Sequence, residues 1–424
     1  MKAIAVLGAA LIGLCGPALA QETIRIGQLV DYTGPTSDIS QPFGQGQQDA
    51  IAYINKNGGI AGQQISIDMF DYAYQAPRAI SQYKKWTGSD KVTAILGWGT
   101  ADTEALSGFV AKDQIPYVSG SYAAQISDPQ GKGPRGSKPA PYNFFYGPTY
   151  SDALRGLLIW AKKDYEAKGR TDKPKYVHMG ANHPYPNAPK EAGEALAREL
   201  GFEVLPAIQY ALTPGDYTAQ CLTLKESGAD YAYLGNTAGS TISLLKSCHT
   251  VGAKPQFLGN VWGLDESSAK AIGAGADGVV FAVRTPVLWN GDAPGMATLR
   301  AISAISDPSG RAFRLGHYMA SVCAVYYLKE AMEWAAANGG ISGENIKQGF
   351  YQKADWVPAG LEGVCFPSTW TPEDHRGTAG VNIVRAHVTG PTDAPVAELV
   401  KAGTIRFEPL ETIEVERRPE WLGW

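Results

Sequence analysis

The 424-residue chain carries 37 Lys and Arg against 41 Asp and Glu, a formal net charge of −4, with 44% hydrophobic residues. That near-neutral balance, with no cluster of basic residues, argues against a nucleic-acid ligand. Single cores stop growing at roughly 250 to 300 residues, so a chain of this length is expected to divide into two lobes.

The first twenty residues, MKAIAVLGAALIGLCGPALA, join Lys2 to an apolar run and then to the small residues around Ala18-Leu19-Ala20. They read as a signal peptide over 1–20, cleaved before Gln21, which sends the mature chain to the periplasm. The apolar run breaks at Gly16-Pro17 and is shorter than the about 20 residues a membrane span requires. Leu14 stands before Cys15, where a lipoprotein signal would carry a small residue, so a soluble mature chain is expected.

Residues 23–34 begin as alternating β-branched and apolar residues, and 45–60 show apolar residues at helical spacing closed by Gly58-Gly59. Strand, loop, helix is the expected order. The order recurs: QISIDMFDY is a strand, APRAISQYKKWTGSD a helix, VTAILGW a strand, TADTEALSGFVAKDQ a helix and IPYVSGS a strand. Such alternation predicts parallel strands covered by helices on both faces. A Pro- and Gly-rich stretch from Gln130 to Pro148 separates this from a second series of the same kind, which runs to DGVVFAVR (277–284). No fixed period relates the two, so they read as similar lobes rather than a sequence repeat. After residue 284 come two helices (317–339 and 343–352) and extended segments at 380–388 and 406–415, too little for a third domain. These segments complete the two lobes, giving an α/β fold of two doubly wound parallel-sheet lobes joined by a multi-crossover hinge. The boundaries expected are 21–146 with 284–362 for the first lobe, and 147–283 with 363–424 for the second.

Four cysteines follow the signal peptide: Cys221, Cys248, Cys323 and Cys365. In an exported chain they allow three pairings, of which Cys221 with Cys248, on successive helical segments, is preferred over buried free thiols. No Cys-x-x-Cys occurs and the six histidines show no metal-ligand spacing, so neither a metal nor another cofactor is expected. No nucleophile elbow, zinc-protease helix or phosphate-binding loop occurs either, and a catalyst is not expected.

The segments IRIGQLVDYTGPTSD, INKNGGIAGQQISIDMFDYAYQAPRAI, VTAILGWGTADTEAL and IPYVSGSYAA resemble the branched-chain amino-acid (Leu/Ile/Val)-binding family of type I periplasmic solute receptors for ABC transporters. The resemblance continues through NHPYPNAP, DYTAQCLTLKESGADYAYLGNTAG and PQFLGNVWG and weakens after about residue 285. It implies three crossovers, a small-molecule ligand enclosed between the lobes by hinge closure, an inner-membrane permease as partner, and a monomer. The same fold also serves ligand-sensing receptors that dock on a membrane signalling partner.

A ligand in such a fold meets the loops that follow the strands. At Trp98-Gly99-Thr100 a strand gives way to a helix, whose free N–H groups and dipole suit a carboxylate, as does the Thr100 hydroxyl. Asp102, two residues on, reads as a cap. Ser119-Gly120-Ser121-Tyr122 offers hydroxyls and a close backbone approach from a second side. From the second lobe the resemblance implies Tyr185, while Asn236-Thr237 and Asn260-Val261-Trp262 end the next two strands and are expected to close on the ligand, with Phe43 as a further stacking face. The family's amino-acid binders carry an acidic residue where this chain reads Gly259-Asn260-Val261-Trp262-Gly263. A buried ammonium needs a counter-charge. An aromatic or aliphatic acid is therefore expected over a standard amino acid, unless Asp31, Asp71 or Asp265 supplies the charge. Relatives' cysteines near Tyr74 and Trp98 are also absent, leaving that corner to aromatic packing.

Overall fold

A computed structural model describes residues 23–424. The expected signal peptide and its cleavage point lie outside the described residues. The chain opens with β1 (Ile24–Val30), α1 (Ser37–Lys56), β2 (Ile65–Asp71), α2 (Ala76–Lys85), β3 (Ala94–Leu96), α3 (Thr100–Asp113), β4 (Tyr117–Ser119) and β5 (Asn143–Phe145). These five strands form one parallel sheet in the order β2-β1-β3-β4-β5. Alternate side chains supply two separate cores. Leu29, Ile95, Tyr117 and Phe145 point to one face, and Ile26, Leu96, Val118 and Phe144 to the other. Apolar residues on both faces are what a sheet covered by helices on both sides requires.

The second lobe begins with α4 (Tyr150–Ala167) and continues through β6 (Lys175–Gly180), α5 (Pro184–Asn187), α6 (Lys190–Glu199), β7 (Glu203–Val204), β8 (Ile208–Gln209), α7 (Thr218–Ser227), β9 (Tyr231–Leu234), α8 (Ala238–Val251), β10 (Gln256–Gly259), α9 (Glu266–Ile272) and β11 (Val280–Ala282). Its parallel strands run β7-β6-β9-β10-β11. A disulfide joins Cys221 on α7 to Cys248 on α8.

The chain then returns to the first lobe as α10 (Met296–Ser303), α11 (Gly316–Ala337) and α12 (Gly343–Phe350). Helix α11 lies against α1, and the approach is close enough that a Cβ on Gly46 would stand 2.6 Å from the Tyr318 carbonyl oxygen. Finally β12 (Gly380–Val388), α13 (Val396–Lys401) and β13 (Ile405–Glu414) return to the second lobe. Here the structure departs from a purely parallel pair of lobes. β12 pairs antiparallel with β11 and β13 antiparallel with β12, so the second sheet carries an antiparallel edge.

The segment 363–370 also differs from the expected division. Val364, Cys365, Phe366 and Trp370 are buried in the core around α11, and Cys365 is bonded to Cys323 on that helix. The apolar underside of α11 needs this cover, so the chain stays with the first lobe through Trp370. It therefore passes between lobes three times, after β5, after β11 and before β12.

Candidate ligand-binding cleft

Helix α3 starts directly after the short turn that ends β3, and its N-cap residue is Gly99, which has no side chain to cap with. Gly99 and Thr100 line the space between the lobes, and the Gly99 N–H donates to the Tyr72 hydroxyl at 3.1 Å. A Cβ on Gly120, at the end of β4, would lie 2.7 Å from the Trp98 ring, so glycine lets the two strand-end loops touch. Thr100 and Ser121 share a 2.7 Å hydrogen bond, and Ser119 accepts from the Ser121 amide at 2.8 Å. Asp102 is buried against the Tyr72 hydroxyl, which donates to it at 2.8 Å. Burial pushes the Asp102 carboxyl up to about 7, beside the α3 N-terminus.

In the opposite wall the loop after β10 presents Trp262. Asn260 holds that loop: its oxygen accepts from the Trp262 amide at 2.7 Å and from the Tyr185 hydroxyl at 2.8 Å. Its nitrogen donates to the carbonyls of Leu234 and Asn236. All its hydrogen-bonding capacity is spent on positioning its neighbours. Trp262 reaches across the cleft, its ring centroid 5.1 Å from that of Trp98, 5.6 Å from that of Phe43 and 5.4 Å from that of Tyr122. The indole N–H donates to the Tyr150 hydroxyl at 2.9 Å.

One small cavity results. Thr36, Tyr74, Trp98, Gly99, Thr100 and Gly120 line its first-lobe side, and Tyr150, Tyr185, Thr237 and Trp262 face them across it. The free space is about 10 Å³, because the aromatic rings fill the rest. A larger recess of about 640 Å³ lies along the hinge near Pro286, Thr378 and Glu414, and no residue of the first five strands or their loops lines it.

Of the residues expected at a ligand, Trp98, Gly99, Thr100, Gly120, Tyr185 and Trp262 line this cavity, while Ser119, Ser121 and Tyr122 lie buried beneath or beside it. Asn236 is turned away. Its oxygen accepts from the Ala181 amide and its nitrogen donates to the carbonyls of Tyr210 and Ala211, which braces the turns after β6 and β8 and leaves Thr237 facing the cavity.

Three wall residues escaped sequence reasoning. Tyr150 opens α4 just past the first crossing. Thr36 receives the Trp98 indole N–H at 2.8 Å. Tyr74 follows Ala73, and the two hold left-handed φ angles of 58° and 50°, conformations that non-glycine residues adopt at a cost. This strained pair sets the Tyr74 ring against His183 of the other lobe, centroids 5.2 Å apart. The sequence signal was the aromatic run in FDYAYQAP.

The three carboxylates considered for an ammonium are all engaged inside the protein. Asp31 accepts from the amides of Gly34 and Thr36, and Asp71 from the Thr33 hydroxyl and the amides of Tyr32 and Ala73. Asp265 caps α9 through the Ser268 amide and pairs with His317 Nε2 at 2.7 Å. Behind Trp262 lies Arg284, whose guanidinium carbon stands 4.0 Å from the ring centroid.

The sequence matches the periplasmic binding protein family over residues 23–391. A Leu/Ile/Val-binding protein homologue of Brucella melitensis is 24% identical over 357 residues, which cover 79% of this chain and 85% of that one. Among solved structures, a branched-chain amino-acid ABC transporter protein of Thermus thermophilus with bound valine superposes with a TM-score of 0.79 at 20% identity, covering 94% of this chain and 98% of that one. A fatty acid ABC transporter substrate-binding protein of Thermomonospora curvata gives 0.78 at 19% identity, covering 96% and 97%.

Proposed function

The chain belongs to the periplasmic binding protein family, with the type I receptors of the Leu/Ile/Val-binding group, and on that premise we propose that it is the extracytoplasmic substrate-binding protein of an ABC importer. It captures a small carboxylate-bearing solute by closing its lobes and delivers it to a membrane permease. The solute is an aromatic or aliphatic acid. Its carboxylate sits at the α3 N-terminus by Gly99 and Thr100, with Gly120 and the Ser121 hydroxyl alongside, and its apolar body lies between Trp98, Tyr185 and Trp262. The role is binding, not catalysis.

One observation carries the choice of ligand class. Asp31, Asp71 and Asp265 already hold hydrogen-bond partners within the protein, so none of these three is open to an ammonium entering the cleft. An uncompensated buried charge costs several kcal/mol. The fold itself accommodates either class, since one similar structure holds valine and another belongs to a fatty acid transporter. The names of the curated relatives favour an amino-acid receptor, which would need one of those carboxylates to change partners.

A thermal-shift screen of mature protein, unfolded and refolded to strip bound ligand, tests this against amino acids, aromatic acids, short branched acids, amides and polyols. A ligand at about 100 times its Kd adds about 2.7 kcal/mol of stability, well within detection. Tight binding of leucine or valine with no response to the acids would overturn the reading.

A further inference from the structure

Arg284 ends the strand segment DGVVFAVR at the second crossing, and only 4% of its surface is exposed. One nitrogen, Nη2, donates to His317 Nδ1. A guanidinium has no acceptor, so Nδ1 must be the bare nitrogen of the imidazole. The proton then sits on Nε2, which donates to Asp265 at 2.7 Å. Asp265, the carboxylate in this chain of contacts, is kept a full imidazole away from the arginine. The other two donor groups of Arg284, Nε and Nη1, are buried with no hydrogen-bond partner.

A buried cation with unmade hydrogen bonds and no carboxylate against it is among the costliest arrangements a protein can hold. The face it meets is the Trp262 ring, 4.0 Å away, and that ring lines the cleft. Arg284 thus places a positive charge directly behind the wall a ligand touches, with Asp265 and Glu266 lining the same recess but neither in salt-bridge contact with it. Cation–π attraction offsets part of the cost and fixes the indole, but an aromatic face does not satisfy an N–H donor as an anion does.

We infer that Arg284 is the counter-charge of the solute: its field, acting across Trp262 or directly when the indole turns aside, makes the cleft select anions over isosteric neutral amides and over zwitterions. The inference rests on the cleft reading above and adds to it the residue that sets charge selectivity. It also gives the missing acid after β10 a physical counterpart, since a positive charge at this position repels the ammonium that an acid would attract.

The test uses benzoate, phenylacetate and 3-methylbutanoate, the amide of each, and leucine, titrated calorimetrically into refolded wild-type protein, Arg284→Lys and Arg284→Met. At least one acid is expected to bind, its amide about tenfold or more weakly, a ratio within reach of one charge pair in a partly desolvated site. Arg284→Met should erase the preference for acid over amide, and Arg284→Lys should keep most of it. Equal binding of an acid and its amide by the wild-type protein overturns the inference without recourse to any variant, and leaves the cleft reading standing. Unchanged acid affinity in Arg284→Met does the same. Failure of every acid to bind overturns the cleft reading and the inference with it.

Discussion

The two walls of the cleft are built by different means. On the first-lobe side Gly99, Thr100 and Gly120 set backbone and short side chains between the Trp98 and Tyr74 rings, placed by where β3 and β4 end. On the facing side the surface is a set of large rings, Tyr150, Tyr185 and Trp262, placed by side-chain hydrogen bonds that converge on Asn260 and Tyr150. Strand geometry fixes the first wall before any ligand arrives. The second depends on rotamers, and it is there that one small fold change alters the size and charge of what is accepted.

The largest expected effect comes from removing the dominant ring. Trp262→Ala deletes the contacts with Phe43, Trp98 and Tyr122 and leaves the Tyr150 hydroxyl without its indole donor. Large-to-small substitutions of buried aromatics cost about 3–5 kcal/mol, and denaturant unfolding should return a loss in that range. Affinity for the acid that binds wild type best should fall by a larger factor than in any substitution of the first-lobe wall. Unchanged affinity would remove Trp262 from the site and with it the contrast between the walls.

Each wall also hides a carboxyl, and the pair sharpens the contrast. Asp102 lies under the first wall with hydroxyls of Tyr72 and Tyr117 near it, whereas Glu266 lines the recess beside Arg284 with one carboxyl oxygen buried and unpartnered. Burial pushes Asp102 up to about 7 and Glu266 up to about 8. A raised carboxyl pKa means the folded protein holds its proton more tightly than the unfolded chain does. The stability this supplies is full below the unfolded value and is lost as pH rises through the folded one. Between pH 5 and pH 8.5 the wild-type protein should therefore lose stability to both groups. Glu266→Gln should flatten that loss and gain about 1–3 kcal/mol at pH 8.5, with little change at pH 5. Asp102→Asn should gain less, because the two tyrosine hydroxyls already serve the carboxylate. Melting temperatures at the two pH values decide it, and a larger gain from Asp102→Asn would reverse the ranking of the walls.

The same difference in construction explains what could be read from the sequence. Alternating strands and helices announce the strand-end loops, so Trp98, Gly99, Thr100 and Gly120 follow from local pattern and parallel-sheet geometry alone. Tyr150 and Thr36 do not, because they reach the cavity only through the docking of the two lobes. Asn236 shows the limit of a rule based on position: a polar residue at a strand end looks like a ligand contact, but its amide was needed to satisfy the carbonyls of Tyr210 and Ala211. The segment 363–370 has no periodicity to report, and what ties it to the first lobe is the apolar surface of α11 and a disulfide to Cys323, both distant in sequence. Arg284 was visible as a charge closing an otherwise apolar strand, a pattern whose weight appears only once two of its guanidinium donors prove to be buried without a hydrogen-bond partner.

The smallest effect belongs to the Thr100 hydroxyl of the first wall. Thr100→Val preserves shape and removes only the oxygen that bonds Ser121 at 2.7 Å. Ser121 keeps a buried hydroxyl with one partner fewer, which should cost about 1 kcal/mol of stability. If the carboxylate is held mainly by backbone N–H groups at the α3 N-terminus, acid affinity should fall only about two- to tenfold, well short of the loss in Trp262→Ala. A loss in Thr100→Val equal to that in Trp262→Ala would mean that side chains and not backbone make the first wall, and the distinction between a wall set by strand geometry and one set by rotamers would no longer hold.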